Sequence, residues 1–235
     1  MSPILKAASL AVVLCVVGAT VALAATISGT DGPDTLIGTN SADTITAKAG
    51  NDRVWGLRGD DTIKAGGDDD VVHGDGSCPA GAKNDDYCST DETSRDGADT
   101  ISGEDGGDAL FGEGGNDTIS SGNGPDFQSG GSGNDVLSGG GSGDVLNGDA
   151  GNDAIFGGWS ADTIDGGSGA DQIKAGGGRD SITGGSGSDQ IMAGDGDDFV
   201  NAKDGVKDAV DCGDGSDTVL ADRIDNLQRC ENVSN

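Results

Sequence analysis

The chain has 235 residues, of which 42 are acidic and 13 basic, and its formal net charge is −29. Nucleic acid and anionic membrane surfaces are poor partners for such a charge, whereas a multivalent cation is a good one. The content of 33% hydrophobic and 3% aromatic residues excludes an ordinary globular core of this length. Two outcomes remain: disorder, or a thin and regular core that something else holds together.

The N-terminal segment, residues 1–24, is predicted to be a cleavable signal peptide. Lys6 is its only charge, residues 7–25 form a largely apolar run, and the small residues Ala22 and Ala24 place the cleavage after Ala24. A retained membrane anchor is the alternative, because the run is long for a signal peptide. Cleavage predicts a secreted chain without a membrane span, in an oxidising and calcium-rich environment.

After this segment, Asp recurs every nine residues, with one interruption between Asp70 and Asp99 and one insertion of a single residue before Asp208. Glycine-rich residues precede the Asp, as in the run G-G-S-G-S-D that ends at Asp189. An aliphatic residue stands two residues after the Asp in eighteen of nineteen repeats, Gln128 being the exception. A fixed period of this kind rejects disorder and predicts a solenoid. The repeat residues are Asp34, Asp43, Asp52, Asp61, Asp70, Asp99, Asp108, Asp117, Asp126, Asp135, Asp144, Asp153, Asp162, Asp171, Asp180, Asp189, Asp198, Asp208 and Asp217.

Each repeat is predicted to combine a tight turn with a short strand. Glycine permits the positive φ angles of the turn, and the aliphatic side chain points inward from the middle of the strand. Two repeats then complete one coil, in which equivalent Asp residues stack about 4.8 Å apart. Stacked carboxylates repel one another by about 0.8 kcal/mol per pair even in water, and a dication between successive turns reverses the sign of this energy.

Calcium is the cation whose chemistry fits such turns. Ca²⁺ takes about six to eight oxygen ligands in flexible geometry, whereas Mg²⁺ demands a stricter octahedron. Zn²⁺ prefers nitrogen and sulfur ligands, and the single His of the chain, His73, falls at a repeat position where a surface residue is expected. We therefore expect several bound calcium ions.

The pattern G-G-x-G-x-D followed by x-aliphatic-x resembles the RTX (hemolysin-type) calcium-binding repeat over residues 26–220. The resemblance implies an all-β fold, a parallel β-roll (β-solenoid) of tandem nonapeptide repeats with two repeats per coil. It also implies that calcium lies between a turn and the equivalent turn one coil on, held by the repeat Asp and by carbonyls of the glycine-rich loop. All nineteen repeat Asp residues are accordingly candidate calcium ligands. Asp43 and Asp70 are the less regular ones, because Ser41 and Asp68 replace the second conserved glycine of their loops.

The interruption divides the repeats into two blocks, residues 25–75 and residues 97–220, around an insert at residues 76–96. The insert is interpreted as a disulfide-pinned excursion from the roll, with a partner-binding loop as the alternative. Residues 221–235 lose the glycine-rich loop and are predicted to cap the last rung. This ending resembles that of stand-alone, exported bacterial proteins with RTX repeats.

The cysteines predict two disulfides. Excluding Cys15 of the signal peptide, four cysteines remain, and an even number in an exported protein indicates pairing. Sequence proximity favours Cys78–Cys88 inside the insert and Cys212–Cys230 in the cap. The separation of the second pair equals one coil length, that is two repeats, so a continuing roll places both side chains on neighbouring rungs.

Three hypotheses for the function remain. The leading one is a stand-alone secreted calcium-binding protein that calcium folds and that has a structural or interaction role outside the cell. The alternative is a β-solenoid adhesin with one flat face for a glycan, ice or a cell surface, which a ladder of outward Thr or aromatic residues would favour. An enzyme is the least supported, since the motifs H-E-x-x-H, G-x-S-x-G and the P-loop are absent. The Thr residues considered for a ladder are scattered in the sequence: Thr35, Thr44, Thr62, Thr100, Thr118 and Thr163.

Overall fold

The computed structural model describes residues 24–75 and 96–234. In these ranges the chain forms 22 β-strands, which alternate between two parallel sheets of eleven strands each. The prediction of an all-β parallel β-roll is therefore confirmed. The same residues include no helix of the length and apolarity that crossing a membrane requires. The predicted signal peptide and the Cys78–Cys88 disulfide lie outside the described residues.

The first sheet contains the odd-numbered strands and the second sheet the even-numbered strands. The first sheet consists of β1 (Thr26–Ser28), β3 (Thr44–Ala49), β5 (Thr62–Gly67), β7 (Thr100–Asp105), β9 (Thr118–Asn123), β11 (Val136–Gly140), β13 (Ala154–Gly158), β15 (Gln172–Gly177), β17 (Gln190–Asp195), β19 (Ala209–Asp214) and β21 (Asn226–Gln228). The second consists of β2 (Thr35–Ile37), β4 (Arg53–Trp55), β6 (Val71–His73), β8 (Ala109–Phe111), β10 (Phe127–Ser132), β12 (Val145–Ala150), β14 (Thr163–Asp165), β16 (Ser181–Thr183), β18 (Phe199–Ala202), β20 (Thr218–Ala221) and β22 (Asn232–Ser234).

Strand register confirms a coil of two repeats. Leu36 pairs with Val54, which lies two repeats further along the chain, and the same step recurs in both sheets. Across the interruption, Ile63 pairs with Ile101, so the additional residues between Asp70 and Asp99 leave the register of the sheets intact. Strands from both repeat blocks therefore belong to the same two sheets.

The core is a single file of aliphatic side chains on each sheet. All eighteen repeat aliphatics are at most 2% exposed, because alternation along each strand turns the middle residue inward. Gln128 occupies the nineteenth position and is also fully buried. Its amide Nε2 donates to Ser121 Oγ at 2.8 Å and to the carbonyl oxygen of Ser138 at 2.7 Å.

The loops between strands depend on left-handed backbone. We number the five residues before each repeat Asp as loop positions 1 to 5. Positions 2 and 4 have positive φ in most loops, as at Gly131 (φ 100) and Gly133 (φ 141) before Asp135. This conformation strains a residue with a side chain and suits glycine, which explains the glycines of the repeat.

The roll continues into the C-terminal segment that the sequence predicts to be a cap. Leu227 pairs with Val210, and Val233 pairs with Val219, so β21 and β22 add one more coil. The predicted Cys212–Cys230 disulfide is confirmed, with its Cα atoms 5.2 Å apart. Ile224, in contrast, is 52% exposed and does not cover the core.

Candidate calcium-binding turns

The repeat Asp side chains form two columns inside the turns. In each column the backbone N–H of one Asp donates to Oδ1 of the Asp one coil on, as from Asp135 to Asp153 at 2.8 Å. The first column contains Asp43, Asp61, Asp99, Asp117, Asp135, Asp153, Asp171, Asp189 and Asp208. The second contains Asp34, Asp52, Asp70, Asp108, Asp126, Asp144, Asp162, Asp180, Asp198 and Asp217. All nineteen side chains are buried, with at most 7% exposure.

Two acidic residues outside the nine-residue period end the columns. Asp208 donates its N–H to Oδ1 of Asp225, and Asp217 donates to Oε2 of Glu231. Neither acceptor lies two full repeats after its donor, so the period did not indicate them. The added coil thus supplies a carboxylate to the last turn of each column.

The second carboxylate oxygen, Oδ2, has no partner in most turns. A buried polar atom without a hydrogen bond is costly, and its repetition at one position of the repeat indicates a ligand-binding role. The seventeen residues with a buried, unpaired Oδ2 are Asp52, Asp61, Asp70, Asp99, Asp108, Asp117, Asp126, Asp135, Asp144, Asp153, Asp162, Asp171, Asp180, Asp189, Asp198, Asp208 and Asp217.

The two N-terminal turns differ. Oδ2 of Asp34 accepts hydrogen bonds from the N–H and the hydroxyl of Thr30, at 2.6 Å and 2.9 Å. Asp43 has the same relationship with Thr39, whose N–H donates to Oδ2 and whose hydroxyl donates to Oδ1. In these two turns, a threonine at loop position 2 therefore donates hydrogen bonds to the carboxylate, and Oδ2 is not left without a partner.

In most turns with glycine at loop position 1, the unpaired Oδ2 and a carbonyl oxygen of the adjacent coil lie on either side of the narrow gap that the missing side chain leaves. A Cβ built on Gly130, at loop position 1, would lie 2.4 Å from Oδ2 of Asp135 and 2.9 Å from the carbonyl oxygen of Gly148. Glycine leaves this gap open, with a carboxylate and a carbonyl oxygen on its sides. Hard oxygen ligands of both kinds are what Ca²⁺ takes, so the residues present fit calcium.

Loop position 1 distinguishes the two columns. In the first column it is glycine before every Asp from Asp43 to Asp189, whereas the second column carries a side chain there in six turns. These side chains are fully buried, so they point into the roll. The residues are Ala47, Ala65, Ser121, Ala175, Ala193 and Cys212.

Loop position 4 is less regular than the sequence analysis stated. Besides Ser41 and Asp68, the conserved glycine is replaced by Ser142, Ser160 and Val206. Asp68 keeps the left-handed conformation, with φ 74. The Asp that follows each of these residues is buried like the others.

Burial raises the pKa of the repeat carboxyls from Asp52 onward. It raises the pKa of Asp153 to about 7; the hydrogen bond from the Asp135 N–H opposes the shift, and the charges of Asp135 and Asp171 add to it. Burial likewise raises the pKa of Asp99 and Asp117 to about 8. Near neutral pH, the turns of Asp99 and Asp117 without a cation therefore favour the protonated carboxyl, and a cation has to displace that proton.

Backbone oxygens would have to complete a calcium site in these turns. Within residues 24–75 and 96–234, no three acidic, His or Cys side chains converge on one point. An ion in a turn would therefore need carbonyl oxygens as well as the carboxylates. This arrangement suits a cation with flexible coordination.

The outer face of the first sheet carries a regular file of Thr side chains that the sequence did not predict. Thr26, Thr44, Thr62, Thr100 and Thr118 pair in register along the first sheet and form one exposed file. Thr residues that are scattered in the sequence therefore form a ladder on this sheet, because the insert does not alter the register.

Aromatic rings form a second outward file, on the second sheet. Trp55 stacks on His73 with ring centroids 5.7 Å apart, and His73 stacks on Phe111 at 4.9 Å. His73 Nδ1 also lies 3.0 Å from Glu113 Oε1. His73 thus lies outside the core, as expected, and takes part in the stack.

A parallel roll with stacked Asp turns defines a calcium-binding β-roll. The family model of the RTX calcium-binding nonapeptide repeat (4 copies) matches residues 24–54, 46–77, 93–128, 129–164 and 165–200. These matches cover more than half of the chain, so it belongs to the RTX calcium-binding repeat family, whose nonapeptide repeats bind Ca²⁺. No curated protein matches the chain.

Proposed function

We propose that this chain is an extracellular protein whose roll is folded by calcium ions in the Asp turns, and that the folded rod has a structural or interaction role rather than a catalytic one. The observation that carries the proposal is the set of seventeen buried carboxylate oxygens without a partner. An ion beside each of them supplies the missing interaction and neutralises the column.

The columns explain why folding requires the cation. Each coil adds two carboxylates to positions with little exposure, and their nearest charged neighbours are other carboxylates, as for Asp162 between Asp144 and Asp180. Dehydrating an ionised carboxylate is costly unless an opposite charge compensates it. A thin core of one aliphatic side chain per repeat offers little to offset this cost.

The ligand assignment follows the geometry of each turn. We assign calcium to the seventeen Asp residues with an unpaired Oδ2, together with carbonyls of loop position 1 in the adjacent coil. Asp34 and Asp43 are the weakest candidates, because calcium there has to displace hydrogen bonds from Thr30 and Thr39.

Export is supported by two independent features. Residues 1–24 have the pattern of a signal peptide. The Cys212–Cys230 disulfide is of the kind that persists in oxidising compartments. The chain then binds extracellular calcium after translocation, and it folds only when calcium is bound.

A calcium titration tests the proposal. Far-UV circular dichroism of residues 25–235 at about pH 8, at or above the raised pKa values of the repeat carboxyls, should change from coil to β as calcium rises through the micromolar to millimolar range. Magnesium at equal concentration is the control and should do much less, because it dehydrates reluctantly. A full β spectrum in excess chelator at this pH contradicts the proposal.

A surface-binding role is the second candidate, favoured by the stacked rings of Trp55, His73 and Phe111. An outward file of apolar rings suits contact with the apolar parts of a sugar chain. Calcium-loaded protein should then be retained on an insoluble polysaccharide, and Trp55→Ala should reduce retention without changing the circular dichroism spectrum. Equal retention of parent and variant contradicts this role.

A further inference from the structure

The insert interrupts one turn of the first column rather than a connection between coils. Gly74 and Asp75 occupy loop positions 1 and 2, and residues 96–98 occupy positions 3 to 5 before Asp99. Gly74 has the geometry of its equivalents, since a Cβ built on it would lie 2.2 Å from Oδ2 of Asp99. The chain therefore leaves this turn after Asp75 and rejoins it at Asp96 to complete a repeat.

Asp75 is a buried acidic residue at loop position 2, where Leu57 of the preceding first-column turn is also buried. Glu113 and Asp149 stand at loop position 2 of other first-column turns and point to solvent. Asp75 is 0% exposed. Its Oδ2 accepts the N–H of Gly97 at 2.6 Å, whereas its Oδ1 has no hydrogen-bond partner.

This turn thus contains two unpaired carboxylate oxygens, Oδ1 of Asp75 and Oδ2 of Asp99. The acidic groups that act on Asp75 are Asp99, Asp96 and Asp117. A shallow groove of ≈ 350 Å³, lined among others by Asp96 and Gly97, lies beside the turn.

We propose that the interrupted turn is a separate calcium site with two carboxylate ligands, Asp75 and Asp99, and that it fills before the turns with one unpaired carboxylate oxygen. The inference rests on the proposed function and adds to it a ligand outside the repeat pattern. The number of charged ligands raises the calcium affinity of an oxygen site. The ion also joins the two points at which the insert leaves and rejoins the roll.

Competition with a chromophoric calcium chelator tests this proposal on residues 25–235. In the parent, the first ion should bind at least about tenfold more tightly than the rest. Asp75→Asn should remove this tight class and leave the others. Glu113→Gln, the matched control at an exposed equivalent position, should leave all classes unchanged.

The other outcomes separate the two proposals. If the parent binds calcium without a tight class, or Asp75→Asn superimposes on the parent, the two-carboxylate site is wrong and the proposed function stands. If the parent binds no calcium, the proposed function itself is wrong. Circular dichroism at saturating calcium checks the variant: failure of Asp75→Asn to fold would make Asp75 a scaffold residue and overturn the site.

Discussion

The N–H of Asp135 donates to Oδ1 of Asp153 at 2.8 Å, and Oδ2 of Asp153 has no partner. The two oxygens of one carboxylate therefore serve different purposes. Oδ1 links adjacent coils through the backbone, and Oδ2 remains for a cation. The same division holds along both columns from Asp52 onward, so loss of charge and loss of the backbone hydrogen bond can be separated by substitution.

Asp153→Asn tests this division. The amide oxygen of Asn can still accept the Asp135 N–H, but its NH₂ group replaces the anionic Oδ2. We expect the calcium midpoint of folding to rise roughly two- to tenfold, since the site loses a charged ligand. Asp34→Asn is the control, with a smaller expected effect because Thr30 already occupies its Oδ2. Equal midpoints for Asp153→Asn and the parent would show that Oδ2 does not bind the ion.

Gly148→Ala tests the gap at loop position 1. The added Cβ would lie 2.5 Å from the carbonyl oxygen of Gly166 and 2.6 Å from Oδ2 of Asp153. We expect weaker calcium binding and a loss of about 1–3 kcal/mol in stability, because backbone atoms must move. In Gly141→Ala the nearest atom is an Asn123 side-chain oxygen at 3.7 Å, so this control should behave as the parent. A normal calcium midpoint in Gly148→Ala contradicts the assigned gap.

The calcium-free roll should be more stable in acid. Burial raises the pKa of Asp117 to about 8 and of Asp162 to about 7, whereas an unfolded Asp titrates near about 4. A raised folded-state pKa gives stability that is fully present below the unfolded pKa and is lost as pH rises through the folded one. In chelator, β structure should therefore decrease between about pH 5 and pH 8.

Proton release provides the matching measurement. At neutral pH, calcium has to displace protons from these carboxyls, so binding in a weakly buffered solution should release them. The calcium midpoint should fall as pH rises over the same range. Binding without proton release near pH 7, with a midpoint independent of pH, would contradict the raised pKa values.

The disulfide should hold the C-terminal coil in place. Cys212 and Cys230 lie on neighbouring rungs, and closing a loop of this length stabilises by about 3 kcal/mol in the chain-entropy model. Replacing both with Ser should increase protease cleavage beyond Asp198, while the central turns still fold with calcium. The bidentate ion pair of Arg229 with Asp211 remains in this variant. Uniform cleavage along the chain would mean that the bridge stabilises the roll as a whole.

The sequence predicted the parts of the fold that repeat. The nine-residue period identified every buried aliphatic of the repeats and the stacking of Asp residues one coil apart, because burial and turn geometry recur with the same spacing. It could not place Asp75, since the insert separates loop positions 2 and 3 of one turn. Thr62 and Thr100 pair across the insert. Because the insert lies between them, their separation is not two repeats, and the period did not predict their pairing. The different purposes of Oδ1 and Oδ2 depend on side-chain orientation, which a period does not specify.

Anomalous diffraction from calcium-soaked or co-crystallised protein tests the central claim most directly, because it locates the ions themselves. We expect peaks in the gaps between coils, about 2.3–2.6 Å from Oδ2 of residues such as Asp135 and Asp153. A folded roll whose ions lie only on exposed carboxylates, with the Oδ2 gaps empty, would contradict the account.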